Sequence, residues 1–152
     1  MFKKLVFLVM AVNLQINNIY TSEIVAPKIK EHIIEMKLFQ NEEEEWKWVY
    51  FPKHITISWG DKVSFLMRSG GPHTVTFYPN KVPGKTVEEK KSLAKILSKN
   101  EREEPHYFMV EGEKYTIDFS NKKGGPKFYK GKYEYFCLPH EQMGMTGSIT
   151  LK

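Results

Sequence analysis

The sequence predicts an all-β fold, an antiparallel Greek-key β-sandwich or barrel with one inserted surface helix around residues 86–104. Three observations carry that expectation. Short segments of period-two alternation recur from Ile33 onward, Gly, Pro and Asp punctuate the gaps between them, and helix-like spacing is confined to one stretch.

In chain order, His54 to Trp59 alternates polar and apolar residues, Gly60-Asp61 is a turn signal, and Val63, Phe65 and Met67 alternate again, as a strand buried on one face requires. Arg68 to Pro72 reads as a loop. Thr74 to Tyr78 reads as a further strand, with Val75 and Phe77 on one side and Thr74 and Thr76 on the other. Tyr115, Ile117 and Phe119 alternate, Asn121 to Pro126 is a Lys- and Gly-rich turn, and Tyr133, Tyr135 and Cys137 share one strand face. A last strand runs over Ser148 to Lys152, with Ile149 and Leu151. The acidic run Asn41 to Glu45, ahead of Trp46 and Trp48, reads as a solvated loop. Thr86 to Glu104 is dense in Lys, Glu, Leu and Ala, and Leu93, Ile96 and Leu97 have helical spacing, so a surface helix ended by Pro105 is expected there.

With 152 residues, 41% hydrophobic and 14% aromatic, the chain can bury one core, and a wholly disordered protein is excluded. The formal charge of +5 is too small, and too little clustered, for a nucleic-acid binder. A single cysteine, Cys137, excludes an intrachain disulfide and a Cys-rich zinc site.

Met1 to Lys4 is basic and Leu5 to Val12 is an unbroken apolar run, followed by the polar stretch Asn13 to Asn18. That is the shape of a secretory signal peptide, and the run is too short to span a bilayer. The expected organisation is a signal peptide at 1–22 cut near Ser22 or Ala26, an N-terminal extension with a first strand at 23–45, and one domain at 46–152. The processed protein is expected to be a monomer, exported to the periplasm or another extracytoplasmic space and not membrane-spanning.

The chemistry lies in Tyr133 to Gly147. Cys137 closes a strand, His140 follows three residues later, and Met145 comes eight residues after Cys137, so one tight loop can aim a thiolate, an imidazole and a thioether at one point. Upstream, Gly70-Gly71-Pro72-His73 places a second imidazole beside another strand. Two His, one Cys and a weak axial Met are the ligand set of blue-copper electron-transfer sites. Met143 competes with Met145 for the axial place but lies two residues early. His32, His54 and His106 read as structural histidines. With His73, Cys137, His140 and Met145 filling every position, no open site remains for a substrate, which argues against an enzyme.

The residues resemble a known family, plastocyanin with its relatives amicyanin and pseudoazurin, within the cupredoxins. The resemblance covers about residues 46 to 152. It runs through Phe51-Pro52, Ile55-Thr56-Ile57, Gly60-Asp61-Lys62-Val63, Pro72-His73-Thr74-Val75 and Gly131-Lys132-Tyr133, then the Cys-Leu-Pro-His loop to Met145. It implies one type I copper ion on His73, Cys137, His140 and Met145. Thr74 stands where many members have an Asn that ties the two ligand loops, and Phe136 stands where plant plastocyanins have a Tyr used in docking, with no acidic patch beside it. Residues 79 to 105 look longer and more helical than the family's usual connection.

The leading functional expectation is a one-electron carrier. Pro72, Leu138, Pro139 and Met143 would form an apolar rim around the edge of His140, where redox partners dock weakly. Two other classes remain in view: a copper transport or storage protein on the same fold, and a cysteine enzyme with Cys137 as nucleophile and His140 as base.

Overall fold

A computed structural model describes residues 28–98 and 108–152. The expected signal peptide at 1–22, His106 and the end of the expected helix lie outside the described residues. One sheet contains β1 (Glu31–Gln40), β2 (Trp46–Phe51), β4 (Lys62–Met67) and β6 (Lys114–Asp118), in the order β2-β1-β4-β6. The other contains β3 (His54–Ile57), β5 (Thr76–Phe77), β7 (Gly131–Phe136) and β8 (Thr146–Leu151), in the order β3-β8-β7-β5. Among the described residues between β5 and β6 there is one helix, α1 (Val87–Leu97).

The expected all-β sandwich is therefore present, but its pairing is mixed rather than purely antiparallel. β1 runs antiparallel to β2 and parallel to β4, and β3 runs parallel to β8. Parallel neighbours need a crossover and not a hairpin. The chain leaves β1 through β2, crosses to the other sheet in β3, and only then returns as β4. Alternation along a strand reveals its buried face and carries no information about the direction of its neighbour.

The inward faces close a core rich in rings. Ile34, Met36, Tyr50, Val63, Phe65, Met67 and Ile117 come from the first sheet, and Ile57, Phe77, Tyr133, Tyr135, Ile149 and Leu151 from the second, all buried. Tyr135 stands edge-on to Tyr50 at 4.8 Å and to Phe65 at 5.1 Å between ring centroids. Each such pair contributes roughly 0.5–1.5 kcal/mol beyond its area burial. This cluster sits two residues below Cys137 on the same strand face.

Two expectations need correction. The strand foreseen over Thr74 to Tyr78 is shorter, pairing with β7 at Thr76–Phe77, and both of its sides, Thr74 with Thr76 and Val75 with Phe77, are buried. The cause is α1, which packs on this segment and whose C-cap residue Ser98 accepts the Phe77 N–H at 2.9 Å. Within the described residues the helix runs over Val87–Leu97, with Ser98 as its C-cap. Thr86 caps its start by accepting the Glu89 N–H at 3.1 Å, while Ser98 Oγ turns back to donate to the Ala94 carbonyl at 2.7 Å. Its buried stripe is Leu93, Ala94 and Leu97, and Ile96, expected on that stripe, is 44% exposed. The acidic run behaves as expected: it is the exposed β1–β2 turn, with Asn41 Oδ1 accepting the N–H groups of Glu43 and Glu45.

Asp61, in the turn between β3 and β4, ties the sandwich at its base. Its carboxylate accepts the N–H of Lys30 at 3.0 Å and of Ser58 at 3.0 Å, and pairs with His32 Nε2 at 2.9 Å. Burial pushes this carboxyl up, but the bonds from Ser58, His32 and Lys30 outweigh burial and hold it below the ordinary carboxylate value. A depressed folded-state value stabilises the fold above the unfolded pKa, about 3.9, and that contribution is lost as pH falls through the folded value. Asp61→Asn should therefore lower stability at neutral pH by about 1–3 kcal/mol. It should also flatten the acid limb of the stability profile below about pH 4, as read by urea unfolding at several pH values.

Candidate metal centre

Two connections bring the expected ligands together. The loop after β4 carries His73, pinned by a two-way backbone bridge in which His73 N–H donates to Met109 O at 3.1 Å and Met109 N–H donates to His73 O at 2.7 Å. Cys137 directly follows β7 and opens a 3-10 turn over Leu138–Met143. That turn is closed by its own backbone: His140 N–H reaches Cys137 O at 3.0 Å, Met145 N–H reaches His140 O at 3.1 Å, and Cys137 N–H reaches Met145 O at 3.0 Å. Gly144 adopts φ 86°, a left-handed conformation natural to glycine, and so turns the chain back into β8.

The result is convergence. Cys137 Sγ lies 3.5 Å from His73 Nδ1 and 3.3 Å from His140 Nδ1, and the two Nδ1 atoms are 3.2 Å apart. Among the described residues, these three present one donor atom each within 4.8 Å of one another. Met145 is fully buried beside Cys137 in the core, whereas Met143 is 57% exposed on the turn. Thiolate, imidazole and thioether together suit a copper ion that cycles between its two oxidation states, so the donor set fits the metal.

Neighbouring groups prepare each donor. His73 Nε2–H donates to the Ser69 carbonyl at 3.0 Å, which leaves Nδ1 bare and facing the cluster. Burial pushes His73 below the ordinary imidazole value, against the Ser69 carbonyl and with a contribution from His140. Burial lowers His140 as well, so both rings favour the neutral form that binds metal. Burial pushes the Cys137 thiol up, and the Thr74 N–H, 3.4 Å from Sγ, offsets this only in part.

Thr74 performs the tie that the sequence leaves to a hydroxyl. Its Oγ1 accepts the Leu138 N–H at 2.7 Å, and its carbonyl accepts the Tyr50 hydroxyl at 2.5 Å, so the His73 and Cys137 segments are joined across the site. The rim residues Pro72, Leu138, Pro139 and Met143 are all exposed on the two ligand-bearing loops. His32 pairs with Asp61, and His54 Nδ1 meets Ser148 Oγ at 2.9 Å, so neither joins the site.

Sequence reading missed Ser69 and, above all, Trp48. The Trp48 indole stacks on the His140 ring with centroids 4.9 Å apart and planes 11° from parallel. The available signal was the period-two order of Trp46, Trp48 and Tyr50, which marks a strand in place of a loop margin.

The family model for copper binding proteins of the plastocyanin/azurin family matches residues 37–152. A plastocyanin from Nostoc punctiforme is 34% identical over 101 residues, 66% of this chain and 63% of that protein. Plastocyanin A/B of Petroselinum crispum is 29% identical over 103 residues, 68% of this chain and 87% of its own length. Among solved structures, a pseudoazurin from Sinorhizobium superposes with a TM-score of 0.52 at 22% identity, covering 82% of this chain and 75% of its own. The oxidised plastocyanin of Dryopteris crassirhizoma gives a TM-score of 0.52 at 23% identity, covering 79% and 99%. The fold, the convergent sulfur and nitrogen donors and the family match over most of the chain agree: this protein is a cupredoxin, a copper-binding member of the plastocyanin/azurin family.

Proposed function

We propose that His73, Cys137, His140 and Met145 together hold one type I copper ion, and that the protein carries single electrons between redox partners. The observation supporting this is the meeting of Cys137 Sγ with the Nδ1 atoms of His73 and His140 inside 4.8 Å, next to the buried Met145. Bound there, copper supplies a one-electron Cu(II)/Cu(I) couple.

The chain does the rest. Backbone bonds among Cys137, His140 and Met145, the Thr74 bridge and the Ser69 bond to His73 fix the donors without help from the ion, so little rearrangement accompanies a change of charge. Four protein donors leave no open position for a substrate, and Cys137 is fully buried, out of reach for nucleophilic attack. Partners would approach over Pro72, Leu138, Pro139 and Met143, an apolar rim suited to a brief encounter. Export as a monomer to an extracytoplasmic space, after removal of residues 1–22, belongs to the same reading. Among the described residues, no helix is long and apolar enough to cross a membrane.

Copper transport or storage is the competing role, and voltammetry separates the two. A reversible couple with fast self-exchange supports electron carriage, whereas ready loss of copper to an acceptor chelator supports transport. The axial assignment is checked in the same experiment. Met145→Leu should retain copper and raise the reduction potential, because a weak thioether donor to Cu(II) is lost. Met143→Leu, on the exposed turn, should leave spectrum and potential unchanged. Exchange of the two behaviours would move the axial role to Met143.

A further inference from the structure

The two imidazoles of the site are held by different means. His73 is oriented by a hydrogen bond from Nε2 to the Ser69 carbonyl. Among the described residues the Nε2 of His140 has no such partner; the near-parallel indole of Trp48 lies against its ring instead. Trp48 is itself fixed, since its Nε1–H donates to the Gly70 carbonyl at 2.8 Å. Gly70 is wedged against β1, where even a methyl group in place of its hydrogen would come within 2.4 Å of Leu38 Cβ. The strand β2 thus reaches both ligand loops: Tyr50 bonds the Thr74 carbonyl from inside, and two residues earlier Trp48 spans from the His73 loop to the face of His140.

From this we propose that Trp48 is the positioning residue of His140: it sets the ring plane by stacking, its own indole steadied by the bond to the Gly70 carbonyl. A ligand histidine ordinarily has its outer nitrogen anchored by an acceptor. Here a ring face replaces the acceptor, leaving Nε2 of His140 open toward partners. The copper-dependent part of this inference rests on the electron-carrier site proposed above, and the first measurement below does not.

In the copper-free protein, the ring protons of His140 should be shifted upfield in NMR spectra relative to those of exposed His54, because they lie over an indole face. Trp48→Leu should return them to the exposed position, and Trp48→Phe, which keeps a ring but loses the bond to Gly70, should retain most of the shift. In the copper-loaded protein, stripping of the metal by a chelator should be about fivefold faster for Trp48→Leu, the factor expected from losing one aromatic pair. It should stay within about twofold of the parent for Trp48→Phe, with the visible bands altered more in the Leu variant. Circular dichroism reports whether each variant is folded. Unshifted His140 protons in the parent, or a folded Trp48→Leu variant with parental shifts and stripping rate, would overturn the proposal. If the Leu variant does not fold, Trp48→Phe decides: retained shifts support the stack, and shifts lost with the fold intact overturn it. Shifts as expected in a protein whose copper spectrum is not that of a thiolate site would leave Trp48 standing while sinking the copper assignment.

Discussion

Cys137→Ser should abolish the intense visible absorption of the copper-loaded protein while leaving the sandwich folded. The chain has one cysteine, so this substitution removes the sole thiolate and with it the charge transfer from sulfur to Cu(II) that gives such sites their colour. The fold should survive because Ser is nearly isosteric, and its hydroxyl can accept the Thr74 N–H that now points at Sγ from 3.4 Å. A buried hydroxyl in place of a buried thiol costs about 1–3 kcal/mol. The expected record is thus a colourless protein with a cooperative, modestly lowered thermal transition. Retained colour would remove Cys137 from the site.

The second large effect is on stability. Gly147→Ala should cost about 1–3 kcal/mol, the usual penalty for overpacking a filled core, and lower the melting temperature by several degrees. Gly147 pairs with Tyr135 across β7 and β8, and a Cβ there would sit 2.5 Å from the Tyr135 Cζ and hydroxyl oxygen. Tyr135 cannot yield, being fully buried among Tyr50, Phe65 and Phe77. Its hydroxyl is the buried side-chain oxygen without a hydrogen-bond partner among the described residues. Tyr135→Phe should accordingly be close to neutral by itself, and in the double variant should recover part of the Gly147→Ala loss. Additive losses would show that the clash is with the ring and not with its hydroxyl.

The sequence made the candidate ligands legible for a local reason. Cys137, His140 and Met145 share one turn whose geometry follows from spacing, and Gly70-Gly71-Pro72 marks the bend before His73. What remained hidden depends on which strands become neighbours. Trp48 reaches His140 because β2 lies at the edge of its sheet next to the ligand turn, and nothing within Trp46 to Tyr50 encodes that adjacency. The helix was legible in its existence and not in what its described end touches. The Lys- and Glu-rich composition favours helix, while the bond that joins its C-cap Ser98 to Phe77 spans 21 positions and is invisible to local composition. Thr74 was legible as a departure from the family pattern, and its compensating bond to Leu138 spans 64 positions.

The parallel pairing of β3 with β8 bears on how the protein reaches its native state. His54 and Ser148 meet across 94 positions, and that contact closes the second sheet. Closing so long a loop costs entropy before any of the burial it enables is gained, which places a chain of this topology among the slower single-domain folders, on a scale of milliseconds to seconds. β8 is also the strand against which β7 must register for Cys137 to face Met145. The thiol, carried on β7, can therefore exist for a time unsheltered, and nascent chains would be open to oxidation or to capture of the wrong metal until the last strand docks.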